Sequence, residues 1–380
     1  MTDELDRRVL NSYLNQYYQD SALAVSHFRL SSLPHYYIPE QGSLQSFKDY
    51  VVSLPQADRP ETFGQHPNAD ISYMTDDSMV VLDSLVDLQP KTGGGAAVGG
   101  MTKDQMVYKI TEDILEQCPP LFDLDEVMKE KSDDPSALHV VLFQEIERYN
   151  VLLGAIRADC AELQLGIKGL IVMSADLDAI FTAFSNGRVP SAWLKAYPSL
   201  KGLGSWTRDL LQRIEQLSTW AKGTYPMVFW LSGFTYPTGF LTAVLQMTAR
   251  KNSIPIDTLA FEYTVMAGVG EKDIQQPPKE GVYVKGIFLE GAGWDSDRGQ
   301  LCEPEPMRLI EAMPIIHFKP AEVKKKGSKG VYQAPLYMYP VRTGTRERPS
   351  YMISVDLKSG NVDPEHWIKR GTALLLSLAV

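Results

Sequence analysis

Near Ile254 the apolar pattern of this protein changes period, and that switch limits the architectures open to it. Before it, apolar residues recur at helical spacing. Leu5, Val9, Tyr13 and Tyr17 fall on one stripe, and Leu44, Phe47, Tyr50 and Val51 on another, with Ser43 placed to cap the second helix and Pro55 to end it. A third predicted helix covers 72–88. The longest, 137–165, carries Leu138, Val141, Leu142, Ile146, Tyr149, Leu152, Leu153 and Ile156 on one face. Others are predicted over 170–184, 205–220 and 238–251. After Ile254, segments such as 281–289 and 351–357 are β-rich and bounded by Gly, Pro, Asn or Asp. Helices first and strands afterwards predict an α+β fold: helical bundle segments, then a small antiparallel β-sheet or partly closed β-barrel subdomain. The last predicted strand, 371–378, is apolar on both faces, so it belongs inside a sheet.

A second punctuation lies earlier. The run 91–101 is rich in glycine and reads by composition as a flexible linker. It divides the protein into a helical unit at 1–90, a helical unit at 102–252 and a β-rich unit at 253–380. A length of 380 residues agrees with several packed units rather than one core. The net charge of -10 opposes general nucleic-acid binding, which needs a basic surface to displace counterions. The three cysteines, Cys118, Cys160 and Cys302, share no metal-type spacing, and their odd number cannot close fully into disulfides. The N-terminus lacks an apolar signal core, and no apolar run approaches the ~20 residues of a membrane span. The expectation is a soluble intracellular protein with no membrane contact.

Candidate chemistry fails on inspection. Gly95 and Gly99-Gly100 imitate a phosphate-binding loop, but Met101-Thr102 stands where a lysine and a hydroxyl residue must follow. The lysine neutralises phosphate and the hydroxyl holds magnesium, so a linker fits the run better. Met79-Val80-Val81-Leu82-Asp83 imitates a magnesium-positioning strand, yet Ser84 replaces the glutamate base. Asp76, Asp77, Asp83 and Asp87 also fit the polar face of a helix. The six histidines are scattered without ligand spacing; His317 reads as a hydrogen-bonded residue at a strand edge. Glu290, Asp295 and Asp297 beside Trp294 allow an alternative, an independent enzyme or glycan-binding module with Trp294 as a sugar platform, against the commoner reading of turn carboxylates. No catalytic set, metal site or cofactor site emerges. Lys324, Lys325, Lys326, Lys329, Arg342, Arg346 and Arg348 form a basic patch on an acidic protein and are the candidate surface for an acidic partner.

Several stretches, in order, resemble dynein heavy chains. Thr2-Asp3-Glu4-Leu5-Asp6-Arg7-Arg8 and Phe63-Gly64-Gln65-His66-Pro67-Asn68-Ala69-Asp70 are similar to the opening and close of the helical part of the sixth AAA+ module. Ala196-Tyr197-Pro198, Gly204-Ser205-Trp206, Trp230-Leu231-Ser232-Gly233-Phe234 and Phe240-Leu241-Thr242 resemble the family's C-terminal helices. Gly281-Val282-Tyr283-Val284, Glu290-Gly291-Ala292-Gly293-Trp294-Asp295, Met313-Pro314 and His366-Trp367 resemble its terminal β subdomain. His66-Pro67-Asn68-Ala69 and Pro237-Thr238-Gly239-Phe240 lean toward the axonemal branch. Pro340-Val341-Arg342-Thr343 and Asp363-Pro364-Glu365-His366-Trp367 lean toward outer-arm members of the gamma type. Ala334 departs from a cysteine common at that position.

The resemblance implies a non-catalytic piece of an ATP-driven microtubule motor of cilia and flagella. Its partners would be the AAA+ ring modules of the same heavy chain and, through them, other dynein subunits. Microtubule contact would come only through the parent motor. The expected role is to brace the ring and modulate its output. Trp206, Trp230, Trp294 and Trp367 are the expected structural anchors.

Overall fold

In a computed structural model of the protein, residues 3–87, 101–131, 136–223, 225–322, 330–339 and 350–377 are described. The N-terminal unit holds α1 (Glu4–Tyr17), α2 (Asp20–Ala24), α3 (Leu44–Ser53) and α4 (Asn68–Asp87). The Asp3 carboxylate caps α1 by accepting from the Leu5 and Asp6 amides, and the Ser43 hydroxyl caps α3 by accepting from Ser46. The glycine run lies outside the described residues apart from Met101. Helices resume with α5 (Lys103–Gln117), entered through a reciprocal Thr102–Gln105 capping box. Then come α6 (Leu124–Glu130), α7 (Ala137–Ile167), α8 (Ala175–Ser185), α9 (Ser191–Ala196), α10 (Leu203–Ala221) and α11 (Pro237–Asn252). The 31 residues of α7 make a rod about 46 Å long, against which α5, α6, α8, α9, α10 and α11 pack.

Strand β1 (Phe229–Trp230) lies between α10 and α11. The β-rich unit then supplies β2 (Leu259–Val265), β3 (Val282–Lys285), β4 (Phe288–Glu290), β5 (Gly293–Asp295), β6 (Gln300–Cys302) and β7 (Ile310–Ala312). It continues with β8 (Ile316–Glu322), β9 (Val331–Tyr339), β10 (Tyr351–Lys358), a short α12 (Pro364–Lys369) and β11 (Ala373–Ser377). One sheet has the order β1-β3-β8-β2, a second β10-β9-β11-β4-β7, and β5 pairs β6 alone. The sheets are mixed rather than wholly antiparallel, because β1–β3 and β11–β9 are parallel, and none closes into a barrel. As its two apolar faces require, β11 sits inside its sheet, between β9 and β4.

The predicted strand 281–289 is in fact two. It breaks at Gly286, whose φ of 83° turns the backbone, so that β3 joins the first sheet and β4 the second. A Cβ at Gly286 would stand 2.3 Å from Trp230 Cδ1, so only glycine lets the indole lie on this bend. His317 is hydrogen-bonded as expected, its ring meeting the Glu280 carbonyl at 2.8 Å, but it stands on β8, an inner strand, rather than at an edge. Predicted helix 170–184 starts only at Ala175, where the Ser174 hydroxyl caps it, since Gly169 at φ 71° has already ended α7.

The apolar core runs from Val107 to Leu376 and joins the helices to both large sheets. Among the described side chains of 3–87, by contrast, Ala22 and Pro60 are the buried apolar residues. Substituting Gly286 by alanine combines a forbidden φ with a clash against Trp230, and is expected to cost about 2–4 kcal/mol. Urea denaturation followed by tryptophan fluorescence measures this; an unchanged midpoint would mean that the bend does not depend on glycine.

Candidate functional site

The segment Trp230-Leu231-Ser232-Gly233-Phe234 leads from β1 into α11, where the helical unit meets the first sheet. Leu231, Ser232, Gly233 and Phe234 are all buried, and their single 3-10 turn, in which the Phe234 amide donates to the Leu231 carbonyl at 3.2 Å, leaves further amides and carbonyls of the segment to be met from outside it. Side chains from the helices meet them. Glu145 on α7, 1% exposed, accepts from the Thr235 amide at 2.7 Å and the Tyr236 amide at 2.9 Å. One turn on, the Tyr149 hydroxyl donates to the Gly233 carbonyl at 3.1 Å. The Tyr197 hydroxyl donates to the Ser232 carbonyl at 2.7 Å, and Gln216 on α10 accepts from the Trp230 amide at 2.7 Å. On the sheet side, the Ser232 hydroxyl donates to the Gly286 carbonyl.

Arg213 lies under this segment, 1% exposed, with its guanidinium carbon 3.4 Å from the centre of the Tyr197 ring. Burial works against its charge, but Tyr197, Tyr149 and Asp209 outweigh burial and hold its pKa above the ordinary value. Asp209 lies 4.0 Å away and pairs with Lys201 at 3.0 Å. An aromatic cluster closes the other side: Phe234 stacks on Phe240 at 4.6 Å, Phe229 lies 4.8 Å from Phe240, and Trp220 meets Phe229 edge-on at 5.4 Å.

The expected anchors are distributed around this joint and the β-rich unit. Trp206 is buried against Trp193, with ring centres 5.7 Å apart. Trp230 is half-buried over Gly233 and Gly286. Trp367 is buried and donates to the Ser359 carbonyl at 2.9 Å. Trp294 is only 7% exposed, which removes it as a sugar platform and with it the observation behind the glycan-binding alternative. Asp295 accepts from the Asp297 and Arg298 amides at 3.1 and 3.0 Å, the turn role of a carboxylate. Lys324, Lys325, Lys326, Lys329, Arg342, Arg346 and Arg348 lie outside the described residues, as do the side chains of Asp76, Asp83 and Asp87. Asp77 is exposed on α4. Among the described residues no group of His, Cys, Asp or Glu is placed to hold a metal ion.

Sequence reasoning missed the polar set Glu145, Tyr197, Arg213 and Gln216. One signal was available. Glu145 falls on the apolar stripe of α7, between Val141 and Tyr149 at helical spacing, where a carboxylate must have buried donors.

Residues 75–376 match the family model for the C-terminal domain of the dynein heavy chain, and residues 1–69 match that for its AAA lid domain. The protein belongs to the dynein heavy chains. It is 66% identical over 379 residues to the dynein-1-beta heavy chain, flagellar inner arm I1 complex, of Chlamydomonas reinhardtii. It is 48% identical over 379 residues to human dynein axonemal heavy chain 2, and 38% identical over 384 to rat dynein axonemal heavy chain 1. Each match takes in all of this sequence and 8% of the relative, so it spans only a small part of the length of these heavy chains, the part that bears the C-terminal domain.

In this portion of a dynein heavy chain, the joint at 230–236 is a structural site, and two outcomes test it. Replacing Glu145 by alanine orphans two buried amides and is expected to cost about 2–5 kcal/mol in urea denaturation, with glutamine costing less because one acceptor oxygen remains. An alanine variant as stable as the parent would deny Glu145 this role. The second concerns pH. Burial raises the pKa of Tyr149 above its ordinary value of 10.0, and burial pushes Tyr332 up to about 12 despite the opposing Arg8. The folded state therefore keeps protons that the unfolded state releases. This stability is complete below pH 10 and falls as pH rises from 10 toward 12, by about 2–3 kcal/mol for Tyr332 alone. Thermal melts should be flat up to about pH 9 and fall beyond pH 10. A flat profile through pH 12 would contradict the burial of these phenols.

Proposed function

We propose that this protein is the non-catalytic C-terminal portion of an axonemal dynein heavy chain, bracing the AAA+ ring and modulating the output of an ATP-driven microtubule motor. The surface of the lid carries this reading. The lid buries little apolar area of its own, and Leu23, Leu44, Val52, Tyr73, Met74 and Val80, on the lid and α4, range from 64% to 94% exposed. So much apolar surface on a charged protein requires a protein cover. The AAA+ modules of the same heavy chain are the fitting partner, with other dynein subunits reached through it. Contacts that must break or slide when the ring changes state alter output without chemistry in this part.

The names of the relatives support a place in the axoneme of a cilium or flagellum. The 66% identity to an inner-arm heavy chain extends over the whole length, whereas the likeness to gamma-type outer-arm members rests on residues 340–343 and 363–367. The inner arm is thus the better supported place. The basic residues between Lys324 and Arg348 remain the candidate surface for an acidic partner. Microtubule contact is assigned to the parent motor, and no nucleic acid, membrane or cofactor is assigned to this portion.

The test uses the purified protein and a heavy chain truncated ahead of it. The purified protein should show no ATP turnover. Added to the truncated motor, it should bind and change both ATP turnover and the microtubule gliding velocity. Intrinsic turnover, or no binding to the truncated motor, would overturn the proposal.

A further inference from the structure

The lid meets the β-rich unit through polar groups that reach three separate segments. Asn68, the first residue of α4 and 8% exposed, donates from Nδ2 to the carbonyls of Glu305 and Arg308 at 2.9 and 3.0 Å. Its Oδ1 accepts from the Met307 amide at 2.9 Å. Both ends of one side-chain amide are thus spent on one turn. That turn holds Met307 at φ 68°, a left-handed conformation that a side chain disfavours, and Asn68 secures three of its backbone groups.

The second attachment is Arg8 on α1. It donates to the Gln333 carbonyl on β9 at 2.9 Å and lies 5.3 Å over the ring of Tyr332, whose hydroxyl donates to the Thr372 carbonyl at 2.6 Å. The third is Arg370, just past α12. It donates to the Gly64 carbonyl at 3.1 Å and pairs with Glu303 at 3.0 Å. Gly64 lies so close to α12 that a Cβ there would stand 3.2 Å from Lys369 Cβ. The lid therefore grips the 305–308 turn, strand β9 and the exit of α12, and attachments to three segments oppose rotation as well as separation.

We infer that the lid and the β-rich part of the C-terminal domain form one mechanical unit, latched at Asn68, Arg8 and Arg370. A displacement of the lid then reaches the sheets directly, across the latch, rather than along the backbone through α4, α5 and the helical bundle. This rests on the lid assignment and not on the bracing proposal, which ring binding tests separately.

The experiment is a pair of measurements on the whole protein. Spin labels at Val52→Cys, 83% exposed on α3, and at Lys358→Cys, exposed at the end of β10, report the lid-to-sheet distance. Cys302→Ser leaves only the buried thiols Cys118 and Cys160. A single narrow distance is expected for this parent, and N68A combined with R8A should lose it to a broad distribution. In N68A, amide exchange at Met307 should accelerate roughly tenfold or more. A broad distance in the parent, or a narrow one retained in the double variant, would overturn the inference. Fluorescence of the six tryptophans, all between Trp193 and Trp367, monitors the core during these changes. If the double variant lowers the tryptophan-reported melting temperature, R8A combined with R370A, which likewise leaves one attachment of the three, is read in the same way.

Discussion

The carboxylate of Glu145 is the interaction on which the arrangement of helices and sheets depends. Where the backbone leaves β1 for α11 it is buried and forms only a single 3-10 turn, closed by the Phe234 amide on the Leu231 carbonyl, which leaves further amides and carbonyls for side chains to meet. Glu145 takes two of them, and Tyr149, Tyr197 and Gln216 take three more groups of the same segment. Burying a carboxylate is costly, and charge-assisted bonds to the two amides, together with the ion pair from Arg148 at 3.2 Å, offset the cost. The acceptor stands on α7, the longest helix and the one most of the bundle packs against. The position of the first sheet relative to the bundle is therefore set by hydrogen-bond geometry as well as by apolar packing, and only the former specifies one orientation.

Two kinds of seam result. Between bundle and sheets, the core from Val107 to Leu376 is continuous and the polar joint is sealed within it. Between lid and sheets the contacts are hydrogen bonds and ion pairs at partly exposed residues, such as Arg370 with Glu303. Exposed ion pairs contribute little each, whereas a buried amide with all its partners, like Asn68, contributes geometry as well as energy. The inner seam thus resists rearrangement, and the outer one holds orientation while leaving the lid's apolar faces free for whatever covers them.

Much of this was legible in the sequence, for physical reasons that also explain the misses. The stripe on α7, the Ser43 cap and the inner place of β11 follow from local pattern alone. Residues Leu170, Ile171, Val172 and Met173 continue the apolar pattern, so periodicity extends a helix across them; Gly169 and Ser174 instead end one helix and cap the next. The split of 281–289 depends on where the Trp230 indole lies, which is a tertiary fact. The lid latch escaped because Asn68, Arg8 and Arg370 are ordinary surface residue types whose partners are far away in sequence.

One of the stretches that marked the family, Trp230–Phe234, coincides with the joint, and the geometry explains why those types stand there. Trp230 lies between two glycines: a Cβ at Gly233 would stand 2.9 Å from its ring and one at Gly286 2.3 Å. A large flat side chain over two backbone bends fixes both at once, provided neither bend bears a side chain of its own. Ser232 adds the hydroxyl that ties the bends together through the Gly286 carbonyl, and Phe234 fills the space beside Phe240. Tryptophan, serine, glycine and phenylalanine are in this sense one solution to a single packing problem rather than four separate signatures. A substitution at one of them changes what the others must accommodate, so their effects on stability should couple rather than add.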